Sequence, residues 1–244
     1  MRNDTRDRER NRRDLLRAGA AGAAGVLLFR AADLAAGQAG SGKRKKEQDE
    51  EEVAPAEDLM REHGVLNRVL LIYDEGIRRL ETPAHDAPPD VIVSAAGVIR
   101  RFIEDYHEKL EENHLFPRFD RANTLKDLVA TLRAQHQAGR RVTDTIARLA
   151  TAAGIKDDAQ RGALVEAMRQ FNRMYRPHEA REDTVLFPAF RKIVSPHEYA
   201  ALGEDFEKQE HALFGEDGFE SMVDKVAGLE KRLGIYELVQ FTPR

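Results

Sequence analysis

The chain has 244 residues, enough for one substantial core or one domain with appendages, and its formal net charge of −4 offers no basic field for nucleic acid. It contains no cysteine, which excludes disulfides, iron–sulfur clusters, thiolate zinc sites and cysteine nucleophiles together while leaving the redox compartment open. No apolar run approaches the ~20 residues of a membrane span, so no stable membrane anchor is expected.

The N-terminal segment differs from the rest. Residues 1–17 carry many arginines, including the pair in Asn11-Arg12-Arg13-Asp14-Leu15-Leu16-Arg17. A weakly apolar Ala/Gly-rich stretch follows from Ala18 to Phe29, then small residues around Ala35 to Gly40. This is the three-part layout of an export signal, and an arginine pair followed by two leucines is similar to a twin-arginine signal. Residues 1–40 are therefore expected to be removed. The twin-arginine (Tat) export machinery is the expected partner and the periplasm, or another extracytoplasmic space, the destination. Residues 41–55 pass from Lys43-Arg44-Lys45-Lys46 to Asp49-Glu50-Glu51-Glu52 and then Pro55. Blocks of like charge with so little apolar content build no core, so a solvated linker is expected.

From about residue 56 the pattern is helical. Leu59, Leu66, Val69, Leu70, Tyr73, Ile77 and Leu80 recur at three- and four-residue steps, the mark of an amphipathic helix. Pro83, Pro88 and Pro89 break the chain. A second helix is expected from near Asp90 to His114, stopping near Pro117, and a third from near Thr124 to before Gly154, a suitable C-terminal cap. A fourth runs from near Asp157 to Phe187, with a kink expected at Pro177. Shorter helices follow from Ser195 to Leu213 and from Phe219 to Leu233. No stretch alternates with period two. The fold class is all-α: residues 56–192 form an up-down four-helix bundle, and residues 193–244 a helical extension packing on it.

One pattern occurs twice, seventy-one positions apart. It reads His107-Glu108-x-x-Glu111-x-x-x-Leu115-Phe116-Pro117-x-Phe119, and again His178-Glu179-x-x-Glu182-x-x-x-Leu186-Phe187-Pro188-x-Phe190. Positions i and i+4 share a helix face, so each copy presents one imidazole and one carboxylate in the same direction, which is half of a metal site. His63 precedes His107 by nearly the interval at which His136 precedes His178, and His211 continues the rhythm. Buried carboxylates and imidazoles are costly unless paired or coordinating. Two carboxylates from two helices can bridge two cations while imidazoles complete each sphere. Such donors suit iron, manganese or zinc.

This order of His, His-x-x-x-Glu, His, His-x-x-x-Glu resembles the hemerythrin-like family, the HHE cation-binding domains, over roughly residues 55–190. The resemblance implies a four-helix bundle and a pair of non-haem iron ions. His63 and His107 would serve one ion, His136 and His178 the other, with Glu111 and Glu182 bridging. It further implies a small diatomic or peroxide ligand: dioxygen, peroxide or nitric oxide, bound or turned over in a catalase-like reaction. The alternative is a non-enzymatic iron-binding or oxygen-sensing module. One departure stands out. The oxygen-carrying members place a further histidine one turn along the third helix, where this chain has Arg140, and His211 is expected to fill that place. Glu108 and Glu179 read as salt-bridging residues at the bundle rim, and Tyr175 as packing beside the site. His114, which does not recur, reads as a residue at the site's boundary. A ferritin-like arrangement needs Glu-x-x-His on two helices. Glu104-x-x-His107 and Glu111-x-x-His114 both lie on one helix, which excludes it.

Overall fold

Pro55 opens the first long helix at a position where a missing N–H costs nothing. The computed structural model describes residues 54–243, so the expected export signal and all of the expected linker except its last two residues lie outside the described residues. Helix α1 is Pro55–Glu81; acidic Glu57 and Asp58 in its first turn and Arg78 and Arg79 in its last oppose the helix dipole favourably. Its apolar stripe, Leu59 through Leu80, is buried as its spacing requires.

Helix α2 (residues 89–122) is one rod of changing pitch. It runs as α-helix Pro89–Val98, π-helix Ile99–His107, α-helix Glu108–Leu110, π-helix Glu111–Leu115 and α-helix Phe116–Ala122. Helix α3 is Lys126–Leu149, and the short α4 is Ala152–Lys156, capped by the Thr151 hydroxyl. Helix α5 (residues 158–193) consists of α-helix Asp158–Arg181, the π-turn Glu182–Leu186 and α-helix Phe187–Ile193. Helices α6 (Pro196–Phe214) and α7 (Gly218–Leu233) follow, then a 3₁₀ turn, Leu238–Phe241. No strand occurs among the described residues. Helices α1, α2, α3 and α5 form the bundle, with α1 and α3 packed on α5, and α7 lies against α1 and the start of α2.

The Leu-Phe-Pro motif does not end its helices, as the sequence suggested. Pro117 and Pro188 have no N–H to give, and a proline ring in a regular α-helix clashes with the carbonyl four residues back. A π-turn absorbs the conflict: Phe116 N–H reaches the Glu111 carbonyl and Phe187 N–H the Glu182 carbonyl, each five residues back. Both rods then continue for two turns, and α2 stops at Asn123 in the left-handed region (φ 54°). Each π-turn begins on a candidate metal-binding glutamate. No described strand or second core competes for the chain; the apolar side chains of all seven helices except the exposed faces join one cluster around Phe102, Phe116, Phe171, Phe187 and Phe190.

Candidate metal centre

Four helices each deliver one imidazole to the bundle interior. His63, His107, His136 and His178 are 2%, 2%, 0% and 4% exposed, and Glu111 and Glu182 are fully buried. One ligand atom each from His63, His107, Glu111 and Glu182 lie within 4.8 Å of one another, and so do those of His136, His178 and the same two glutamates. Glu182 Oε2 lies 3.4 Å from His63 Nε2 and 3.1 Å from His178 Nε2. Glu111 Oε2 lies 3.9 Å from His107 Nε2 and 3.4 Å from His136 Nε2. Each carboxylate therefore faces one histidine from each group, which is the relation a bridging carboxylate needs.

The opposite edge of every ring is held from outside. Nδ1 of His63 lies 2.7 Å from Asp183 Oδ1, that of His107 2.6 Å from Glu62 Oε2, that of His136 3.1 Å from Glu112 Oε1 and that of His178 2.9 Å from Gln135 Oε1. An Nδ1–H donating outward leaves the Nε2 lone pair pointing inward, the tautomer a metal requires. These partners obey the sequence repeat. Asp183 and Glu112 each follow a candidate bridging glutamate, and Glu62 and Gln135 immediately precede His63 and His136. The partners of His63 and His136 come from the opposite half of the repeat.

The inner atoms lack such partners. Both oxygens of Glu111, both of Glu182 and Nε2 of His136 are buried with no hydrogen bond. Leaving buried carboxylates unpaired is among the most destabilising arrangements a core can hold. Cations between the two glutamates and four imidazoles satisfy all of these atoms, so the residues present fit a metal centre.

The ion-free electrostatics are lopsided. Burial, then the neighbouring Glu182 charge, push the Glu111 carboxyl well above the usual carboxylate range. Burial acts the same way on Glu182, but His178 and His63 outweigh it and hold that carboxyl well below. Burial lowers His63, yet the hydrogen-bonded Asp183 carboxylate and the adjacent Glu182 charge bring it up to about 10. His107 is pushed well down by burial and the nearby imidazoles. The neighbouring carboxylates thus favour an extra proton on His63, and burial favours the protonated form of Glu111; a metal would compete with both.

Six of the seven residues singled out from the sequence converge; His211 does not. It is 42% exposed beside Glu207 on α6, outside both buried groups. The reason is phase. Leu202, Phe206 and Glu210 form the buried stripe of α6, and His211 falls about 100° around the helix from Glu210. The position one turn beyond His136 is engaged elsewhere. Arg140 there pairs with Glu108 at 2.7 Å and Glu112 at 2.8 Å. Glu108 and Glu179 are buried rather than at the rim, 1% and 4% exposed. Glu108 accepts a hydrogen bond from the Tyr175 hydroxyl at 2.8 Å, and Glu179 one from the Asn67 amide at 3.1 Å. Asn67 and Arg140 are both four residues past a histidine of the centre, so the repeat extends here too. Tyr175 packs on Phe171 and His178 as expected, and its hydroxyl adds a polar role that spacing could not reveal. His114 sits outside the centre against Phe206.

Sequence reasoning missed Glu62, Glu112, Gln135 and Asp183. Their signal was present: each adjoins a candidate ligand at repeat-related positions.

An all-α bundle whose interior converges two glutamates and four histidines is a metal-binding helical bundle. Residues 54–161, and again residues 127–233, match the family described as Hemerythrin HHE cation binding domain, and the chain belongs to that family. The two overlapping matches are what an internal repeat produces. The chain is also similar to uncharacterized proteins of Mycobacterium bovis and Mycobacterium tuberculosis, each 49% identical over 233 residues, covering 95% of this chain and 91% of theirs. No solved structure matches.

Proposed function

We propose that this chain is an exported non-haem di-iron protein that binds or turns over dioxygen, peroxide or nitric oxide. The observation that carries the reading is the set of buried, unpartnered inner atoms on Glu111, Glu182 and His136, faced by three further inward Nε2 atoms. His63 and His107 would hold one ion and His136 and His178 the other, with Glu111 and Glu182 reaching both. When bound, an iron pair supplies two adjacent redox ions with positions open to small ligands.

The chain's own residues supply orientation and dryness. Asp183, Glu62, Glu112 and Gln135 fix the imidazole rings, so little reorganisation is needed on loading. Phe116 stacks on His136 and Phe187 on His63, closing the interior against bulk water. Arg140 places a fixed positive charge on Glu108 and Glu112, beside the centre but engaged with carboxylates.

Metal analysis and an optical spectrum of the purified full chain test this. We expect two irons per chain, and near-ultraviolet absorption that changes on adding peroxide. A chain that takes up no iron when iron is supplied, and whose melting temperature ignores chelators, overturns the reading. The donor set also accepts manganese or zinc, and the same analysis separates them.

A further inference from the structure

The centre has two flanks related by the internal repeat, and they are finished differently. On one flank a pocket of about 360 Å³ opens between α3 and α5 and ends on the centre's own residues. Its walls include Thr131, Leu132, Gln135, Pro177, His178 and Arg181. Gln135 is the residue that holds the His178 ring, so the pocket is lined by a ligand candidate and its positioning group.

The repeat maps these walls onto Asp58, Leu59, Glu62, Tyr106, His107 and Leu110 on the other flank. Glu62 holds His107 there as Gln135 holds His178. That flank is covered by the C-terminal helices. The Glu210 carboxylate of α6 lies in one group with those of Asp58 and Glu62, all within 4.8 Å. The Phe214 ring lies 5.5 Å from that of Tyr106 and 5.6 Å from that of Phe102, and Phe219 of α7 meets Phe102 from the same side. Tyr106, Glu62 and Phe102 are 1%, 0% and 0% exposed as a result.

The two flanks also differ in charge. The covered one gathers three carboxylates. In the open one a neutral amide replaces Glu62, a hydroxyl replaces Asp58 and the Arg181 guanidinium replaces Leu110, against a single carboxylate, Asp127.

We propose that the α3–α5 pocket is the site through which small, singly charged anions reach the centre, so that the half built on His136 and His178 exchanges ligands while the half built on His63 and His107 is sealed by α6 and α7. This rests on the metal-centre reading and adds a direction to it. Thr131, Gln135 and Arg181 select the ligand: the lining sets a hydroxyl, an amide and an imidazole beside the Arg181 guanidinium, which attracts negative charge.

Azide is the probe, followed by stopped-flow absorbance on the iron-loaded full chain. Thr131 is exposed, so Thr131→Trp fills the mouth without a core penalty. Azide binding should slow by about ten-fold or more at unchanged iron content, within the range over which association rates vary among variants of one site. Arg181→Glu should slow it as well, with an effect that shrinks as salt is added. Lys208→Trp, at a 68% exposed position on the covered flank, is the control and should leave the rate within two-fold, about 0.4 kcal/mol in activation free energy. The rate at which a chelator strips iron from the same three variants gives a readout independent of any reaction. Equal azide and chelator rates in Thr131→Trp and the parent, with iron content intact, overturn the proposed route. Failure of the parent to hold iron overturns the metal-centre reading itself.

Discussion

At the scale of single residues, the ligands were legible because their chemistry is expensive. Imidazoles and carboxylates spaced to share a helix face, twice over, have few explanations, and His63, His107, Glu111, His136, His178 and Glu182 meet in one place. His211 followed the same rhythm and lies on the surface, since rhythm along the chain carries no information about which way a later helix is turned. The groups that hold the rings were hidden for another reason: acids and amides are common on helices, and only the fold shows which imidazole each one faces. We expect Glu111→Ala or Glu182→Ala to lower bound iron to one or fewer per chain, because each carboxylate faces both histidine groups; full iron content in both variants would refute the bridging roles. His211→Ala should match the parent in iron content and spectrum. Glu62→Leu, which keeps the volume but frees Nδ1 of His107, should weaken metal affinity by roughly 10- to 100-fold, measured by competition with a chelator, as loss of such an orienting partner generally does.

At the scale of elements, the helices and their order follow from apolar spacing and the prolines, and the sequence-based boundaries fall close to those observed at α1, α6 and α7. The error concerned the Leu-Phe-Pro motif. A proline is normally an argument against continuing a helix, and the π-turns that accommodate Pro117 and Pro188 have no signature in composition. Their position on Glu111 and Glu182 is the gain: the wider turn sets the carboxylates while the rod stays unbroken. The crossing of α3 and α5 depends on a second local choice. A methyl group at Gly139 would run into the Tyr175 hydroxyl and ring, and that hydroxyl is tied to Glu108. Gly139→Ala should therefore destabilise the chain by about 1–3 kcal/mol, the usual range for overpacking a filled interior. Denaturant melts of Gly139→Ala and Gly139→Ala/Tyr175→Phe check this; recovery of less than a third of the loss in the double variant would place the clash elsewhere than at the hydroxyl.

At the scale of the whole molecule, the centre joins every helix of the bundle, so loading and stability are one quantity. A metal held at a thousand times its dissociation constant adds about 4 kcal/mol, and chelation should lower the melting temperature accordingly. Loading should also release protons. In the ion-free chain His63, raised to about 10 by the carboxylates beside it, holds an extra proton at neutral pH, and burial shifts the Glu111 carboxyl upward in the same sense; each must be deprotonated to bind. Affinity should thus fall as pH falls, with protons appearing in weakly buffered solution on adding metal; pH-independent affinity would contradict this. Export makes its own forecast, that N-terminal sequencing of the secreted form finds a start between Ala32 and Ser41, and an intact Met1 in a wholly cytoplasmic product would exclude it. The crossed holding of the rings has a final consequence. Asp183 grips a histidine of the first half and Glu112 one of the second, so neither helical pair contains a finished half-centre. A chain carrying one helical pair alone could complete such a centre only as two copies clasped face to face, each lending the other its grip.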